Sequence, residues 1–184
     1  MKSISNVFGE VKIKILRLFI FNPGSHLTAQ TVANRAKENI SVARREMRIL
    51  EKEGVIRRRG KGFSVDSNYP YLSAIENLLV DSTPVSSKEI AKLISRSGNV
   101  RLIIVAGVFL HDRDARVDML IVGDHIRQAK LASIVASIEA ELGKELRYAA
   151  FETSDFQYRL GIYDKLIKDI FDSHHEKVLN KLGI

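Results

Sequence analysis

Residues 7–65 hold three helix-length apolar patterns in a row, followed by two short extended runs around Gly60-Lys61-Gly62. Few small folds satisfy that order. The first segment, Val7–Phe21, sets Val11, Ile15, Leu18 and Phe19 at helical spacing. Asn22-Pro23-Gly24 stops it, because proline lacks the backbone donor and glycine permits a left-handed turn. Thr28 is expected to N-cap a short helix through about Ala36, with Val32 and Ala33 turned inward. After the turn Lys37–Ile40, Ser41 is expected to cap a third helix through Glu53, closed by Gly54 at the C′ position. On that helix Ile40, Ala43, Met47 and Leu50 form one apolar stripe. Val55–Arg59 and Phe63–Asp66 read as the two strands of a hairpin turned by the glycines.

Three helices followed by a basic hairpin is the winged helix-turn-helix arrangement. In such a module the third helix enters the major groove of DNA while its apolar stripe packs on the first two. The stripe leaves Ser41, Arg44, Arg45 and Arg48 facing away from the core. Arginine makes paired hydrogen bonds to guanine O6 and N7, whereas serine or asparagine mainly anchors phosphates. Thr28, Gln30 and Asn39 stand near two helix N-termini, where backbone N–H groups already favour a phosphate. Arg57, Arg58, Arg59 and Lys61 would flank the duplex from the hairpin, with one of the three arginines turned away by strand alternation. The competing reading pairs Arg44, Arg45 and Arg48 with Glu46, Glu51 and Glu53 as surface ion pairs, which contribute little.

Charge follows the same division. Residues 1–80 hold 14 Lys and Arg against 7 Asp and Glu, whereas residues 81–184 hold 15 of each, so the whole +7 lies in the first part. A segregated cationic half is the footprint of polyanion binding, because each neutralised phosphate releases condensed counterions. A basic surface kept for solubility is the alternative.

Tyr71–Val80, with Leu72, Ile75, Leu78 and Leu79, reads as a connecting helix, and Asp81-Ser82-Thr83-Pro84 as the boundary. Ser86-Ser87-Lys88-Glu89 is a capping box opening a helix to about Arg96. Val100–Ala106 is nearly continuous apolar sequence ending at Gly107, which suits a strand buried on both faces, and Val117–Val122 is a second. Arg127–Leu142 is a long amphipathic helix, and Leu146–Phe151 a third strand. Thr153-Ser154 is expected to cap a further helix, Asp164–Asp172 adds another, and Glu176–Leu182 suits strand or helix equally.

Residues 1–80, with the exit Asn68-Tyr69-Pro70-Tyr71-Leu72, resemble winged-helix regulators of the ArsR/MarR type. Residues 86–184 resemble a nucleotidyltransferase-like domain of the DNA polymerase β superfamily. That likeness is carried by Val105-Ala106-Gly107-Val108-Phe109-Leu110 and Asp114-Ala115-Arg116-Val117-Asp118-Met119-Leu120-Ile121-Val122-Gly123. An active member of that superfamily has Gly-Ser after the first strand, Asp-x-Asp opening the second and a third carboxylate on a later strand. Together these hold two divalent metals that activate the attacking hydroxyl. This chain keeps Gly107 but has Val108 in the serine's place, and keeps Asp118 but has Arg116 two residues before it. Leu146–Phe151 supplies no third carboxylate, although Glu145 and Glu152 flank it. Arg116 is expected to repel a metal and to neutralise Asp118 by direct pairing. Asp112 and Asp114 are the only loop substitutes. The resemblance therefore implies a vestigial cleft of Gly107, Val108, Arg113, Arg116 and Asp118, without catalysis. Such a cleft either holds a nucleotide or small anionic effector, or serves a module for dimerisation or protein docking.

The absence of cysteine excludes disulfides, thiolate metal sites and cysteine nucleophiles. No metal or cofactor is expected: His174-His175 share no common face, and His26, His111 and His125 show no ligand spacing. Phe151, Phe156 and Tyr158 are expected to fill core. The opening Met1-Lys2-Ser3-Ile4-Ser5-Asn6 has no apolar leader pattern, and no stretch reaches membrane-spanning length, so a cytoplasmic protein without membrane contact is expected. The expected fold class combines α+β and α/β. A winged helix-turn-helix over 1–68 is followed by a connecting helix and linker over 69–85. A degenerate nucleotidyltransferase-like mixed-sheet domain covers 86–184. The expected function is transcriptional regulation as a homodimer on double-stranded DNA. The alternatives are a divergent nucleotidyltransferase modifying protein or RNA, and an antitoxin-like module whose winged helix binds protein.

Overall fold

The computed structural model describes residues 4–82, 85–110, 112 and 115–184. It is a mixed α+β chain with two small sheets. By its internal contacts it divides into two units, 1–85 with 136–144, and 86–135 with 145–184.

In the first unit the opening helix is broken where the periodicity predicted continuity. Gly9, at φ 89°, separates α1 (Ser5–Phe8) from α2 (Glu10–Ile20). Thr28 caps α3 (Ala29–Ala36) as its sequence position predicts, its side chain accepting from the Thr31 N–H. The cap of α4 (Ile40–Lys52) is Asn39 and not Ser41: the Asn39 side chain accepts from the Ser41 N–H at 2.8 Å. Asn39 takes that place because its own backbone is extended there, as an N-cap requires. The strands β1 (Ile56–Arg59) and β2 (Gly62–Val65) pair antiparallel, and Phe63 adds a bridge to Leu27. α5 (Leu72–Asp81) contributes Leu72, Ile75 and Leu79 to the core that Ile15, Leu18, Phe19, Val32, Ala43, Met47 and Ile56 build.

A buried guanidinium anchors part of this unit. Arg17, 1% exposed on α2, donates to the Glu141 carbonyl at 3.0 Å and to the carbonyl and hydroxyl of Ser82, the C-cap residue of α5. A guanidinium at helix C-termini meets carbonyls that have no partner within their own helices. Burial pulls the Arg17 pKa below its ordinary value, and Glu141 opposes that pull. Nearby, Asn22 donates to the Gly143 carbonyl at 2.8 Å. A Cβ on Gly143 would come within 2.5 Å of the Arg17 Cβ, and its φ of 72° already favours glycine. Lys14 sits among Glu10, Glu141 and Glu38, with contacts at 2.7, 2.8 and 3.6 Å. Burial lowers its pKa, but the hydrogen bonds it donates to the Glu10 and Glu141 carboxylates outweigh burial and raise it. Residues 136–144 thus bring two acids, Glu139 and Glu141, into a unit whose excess charge is positive.

The second unit opens with α6 (Ser87–Ile94), capped by the reciprocal Ser86–Glu89 box that the sequence predicts. The four-stranded sheet runs β3 (Asn99–Val105), β4 (Met119–Asp124), β5 (Tyr148–Phe151) and β6 (Glu176–Asn180) in the spatial order β5-β4-β3-β6. β3 pairs antiparallel with β4 and β6, while β4 pairs parallel with β5. The ambiguous C-terminal segment is therefore strand. Leu102, Ile104, Leu120 and Val122 face Phe156 of α8 (Thr153–Gly161) and Ile167 and Ile170 of α9 (Lys165–Asp172). Ile103, Val105, Met119 and Ile121, which alternate with them, are buried too, so the paired central strands are covered on both faces. The residue before α8 is Glu152, and Thr153 and Ser154 lie inside that helix instead of capping it. α7 spans Gln128–Leu142. No helix among the described residues is long and apolar enough to cross a membrane.

Candidate functional site

α4 buries Ala43, Met47 and Leu50 and presents the opposite face, with Ser41, Arg44, Arg45 and Arg48 all exposed. The four residues fall within two turns, so one surface strip carries three guanidinium groups. Only Arg45 pairs with a neighbouring acid, lying 3.1–3.2 Å from Glu46, which is itself buried. Among the described residues Arg44 and Arg48 have no carboxylate partner. The ion pairs with Glu51 and Glu53 that the sequence permits are not made.

The hairpin separates its arginines by strand alternation and by local packing. Arg57 is half-buried and pairs with Asp66 at 3.5 Å, and strand alternation sets Arg58 on the opposite side from Arg57 and Arg59. Arg58 holds its guanidinium 5.3 Å above the Phe63 ring, an arrangement that fixes the cation without neutralising it. Arg59 and Lys61 are exposed beside the Gly60 turn and carry no carboxylate partner among the described residues. A Cβ on Gly62 would lie 3.0 Å from the His26 and Leu27 backbone, so glycine lets the hairpin press against the strand-like Leu27 segment. Three of the expected phosphate anchors are already engaged within the fold: Thr28 with Thr31, Asn39 with Ser41, and Gln30 with Asn34 at 2.9 Å. They shape the helix entrances, and the uncommitted donors on this surface are the cations.

The opposite condition holds around Asp118. Gly107 follows β3, Asp118 precedes β4 and Arg147 precedes β5, and the pairing of these strands brings all three to one end of the sheet. Asp118 is 4% exposed. Its Oδ1 accepts the Val108 N–H at 2.9 Å, and its Oδ2 accepts the Arg147 backbone N–H at 2.8 Å and Arg147 Nε at 3.4 Å. Gly107, at φ 52°, leaves room for that carboxylate where a Cβ would collide with it. The Val108 and Arg147 backbone N–H groups, which an anion near Gly107 would use, are thus taken by the protein's own carboxylate.

The expected Arg116–Asp118 pair is absent. Arg116 is exposed and its Nε lies 2.7 Å from Asp169 Oδ2, an ion pair whose N–H does not point along the contact. Asp118 has Arg147 instead, a cation beside the third strand, where the family pattern points to a carboxylate and so gives no sign of it. Arg113, with His111 and Asp114, lies outside the described residues. Among the described residues no three His, Asp or Glu side chains converge to hold a metal ion. Arg17 was also unread. Its signal was a single guanidinium inside the apolar run Ile13–Ile20, where no exposed face was left for it.

Against protein-family models, curated proteins and solved structures alike, the chain has no match.

Proposed function

We propose that this protein is a DNA-binding transcriptional regulator in which α2, α3, α4 and the β1–β2 hairpin form a winged helix-turn-helix module. The observation that carries this reading is the exposed strip of α4. Arg44 and Arg48 face solvent without carboxylates, Arg45 is steadied by Glu46, and Arg58, Arg59 and Lys61 extend the same charge onto the hairpin. Guanidinium groups at major-groove depth read guanine edges, and the hairpin cations hold the phosphate backbone. The chain acts as a homodimer on two half-sites.

The second unit, in this reading, is a nucleotidyltransferase-like domain without catalysis. Asp118 supports that view, because its two oxygens are already engaged by two backbone N–H groups and a guanidinium, which compete with any metal for its lone pairs. The test is a gel-shift titration with a random duplex pool followed by enrichment. Arg44→Ala combined with Arg45→Ala should abolish enrichment of any sequence. Wild-type-like binding in that double variant would remove α4 from the recognition role. Incubation with Mg²⁺ or Mn²⁺ and labelled nucleoside triphosphates tests the second unit: label transfer that disappears in Asp118→Asn would show an enzyme.

A further inference from the structure

The C-terminal end of α8 exposes apolar side chains with no role in the fold's own core. Tyr158 is 67% exposed, Leu160 38%, Ile162 56% and Tyr163 84%, a concentration within six residues that the described chain shows nowhere else. Tyr158 was expected in the core with Phe156, but residues two apart on a helix face opposite ways, and Phe156 takes the buried side.

The backbone at this corner is also unusual. Asp164 N–H donates to the Arg159 carbonyl at 2.9 Å and Tyr163 N–H to the Leu160 carbonyl at 3.3 Å, the two bonds of a Schellman ending. Tyr163 occupies the left-handed C′ position at φ 55°. Glycine is the residue that relieves that conformation, and a bulky side chain there is strained. Among the described residues the other non-glycines at positive φ are Lys37 and His125, both polar. A tyrosine held in a strained turn and projected into water gains nothing from its own fold, which leaves its ring to a partner.

The charges of the corner are balanced. Residues 153–165 carry Asp155, Arg159, Asp164 and Lys165. Arg159 is held by Asp155 at 3.0 Å and Asp164 at 3.2 Å, and its guanidinium lies 4.9 Å over the Phe151 ring. A second copy brought against this corner meets no net like charge, whereas the cationic α4 strip repels its own kind. Area agrees: with exposed tyrosines offering roughly 150–250 Å² each, Tyr158, Ile162 and Tyr163 present about 300–400 Å² of apolar surface, under about half of one partner's share in a standard interface. A polar rim supplies the remainder.

We propose that the α8–α9 corner, centred on Tyr158, Ile162 and Tyr163, is the face on which two copies of this chain associate. This rests on the homodimer reading above and is independent of DNA recognition. The test is sedimentation of the full chain across concentrations, alongside duplex binding. Wild type should sediment as a dimer, and Tyr158→Ser with Ile162→Ser should weaken that dimer by about tenfold or more. Tyr163→Gly should weaken it as well while the dissociated chain melts no lower than wild type, because glycine relieves the turn; a tyrosine serving only the fold would lower the melting point instead. Tyr71→Ser and Leu78→Ser, at the exposed apolar positions before and within α5, should leave the dimer intact. Arg44→Ala with Arg45→Ala should lose duplex binding and remain dimeric, so failure of either reading is seen separately. A monomeric wild type, an unaltered dimer in both corner variants, or dissociation caused by the α5 variants would each overturn the assignment.

Discussion

The α4 strip and the Asp118 turn treat charge in opposite ways. On α4 the fold exposes guanidinium groups and leaves two of the three without an acid, although Glu51 and Glu53 stand on or beside the same helix. Around Asp118 it buries a carboxylate and gives each of its oxygens an N–H donor from a neighbouring strand end. Uncommitted charge at a surface costs the fold little and remains available to a partner. A satisfied buried charge belongs to the architecture, and removing it leaves its former donors unpaired. A nucleotidyltransferase-like reading makes Asp118 the remnant of a metal site; the geometry makes it the clasp that joins β3, β4 and β5 at one sheet end.

Substitutions on the two surfaces should separate these roles. The largest effect is expected from Arg44→Ala with Arg45→Ala. With each guanine-reading arginine worth about 1–3 kcal/mol, specific duplex affinity should fall about 30-fold or more, while the fold loses only the support of the Arg45–Glu46 pair. Asp118→Ala should do the reverse. With two backbone N–H groups stranded, denaturant titration should show a loss of about 2–4 kcal/mol, and duplex affinity should not change apart from that unfolding. If Asp118→Ala kept full stability, the clasp would be wrong. Arg58→Ala should weaken duplex binding severalfold, in line with about 1 kcal/mol for a positioned phosphate-facing cation on an aromatic ring. Arg116→Ala, which breaks only the partly exposed pair with Asp169, should cost under about 1 kcal/mol and should fade further in salt.

Acid titration supplies the smallest effect. The Ser86 backbone N–H, and then its hydroxyl, hold the Glu89 carboxyl below its ordinary value. A lowered carboxylate stabilises the fold above its unfolded pKa, and that contribution disappears as pH falls through the folded value. Glu89→Gln should therefore lower neutral stability slightly, match wild type in acid, and so flatten the acid limb of the stability curve.

What the sequence made legible is local. Thr28, the Ser86–Glu89 box, Gly54 and the glycine-turned hairpin were readable because each needs only residues a few positions away. The same locality explains the near misses. Ser41 and Asn39 are both good N-caps two residues apart, and backbone conformation, not residue type, decided between them. Thr153 yielded its expected capping place to Glu152 for the same reason. The exposed face of α4 followed from the helical period, but whether its arginines would find acids did not. Arg147 on Asp118, Arg17 on Glu141 and Ser82, and the grouping of 136–144 with the first unit join residues far apart in sequence. Hydrophobic periodicity carries no record of such partners.

The most direct measurement of the α4 surface's role is duplex affinity as a function of salt. With four to six phosphates neutralised by the α4 and hairpin cations, affinity should fall about 10²–10³-fold between 50 and 200 mM salt, along a straight line in log–log coordinates. Absence of binding to a broad duplex pool in dilute buffer, or an affinity indifferent to salt, would contradict it.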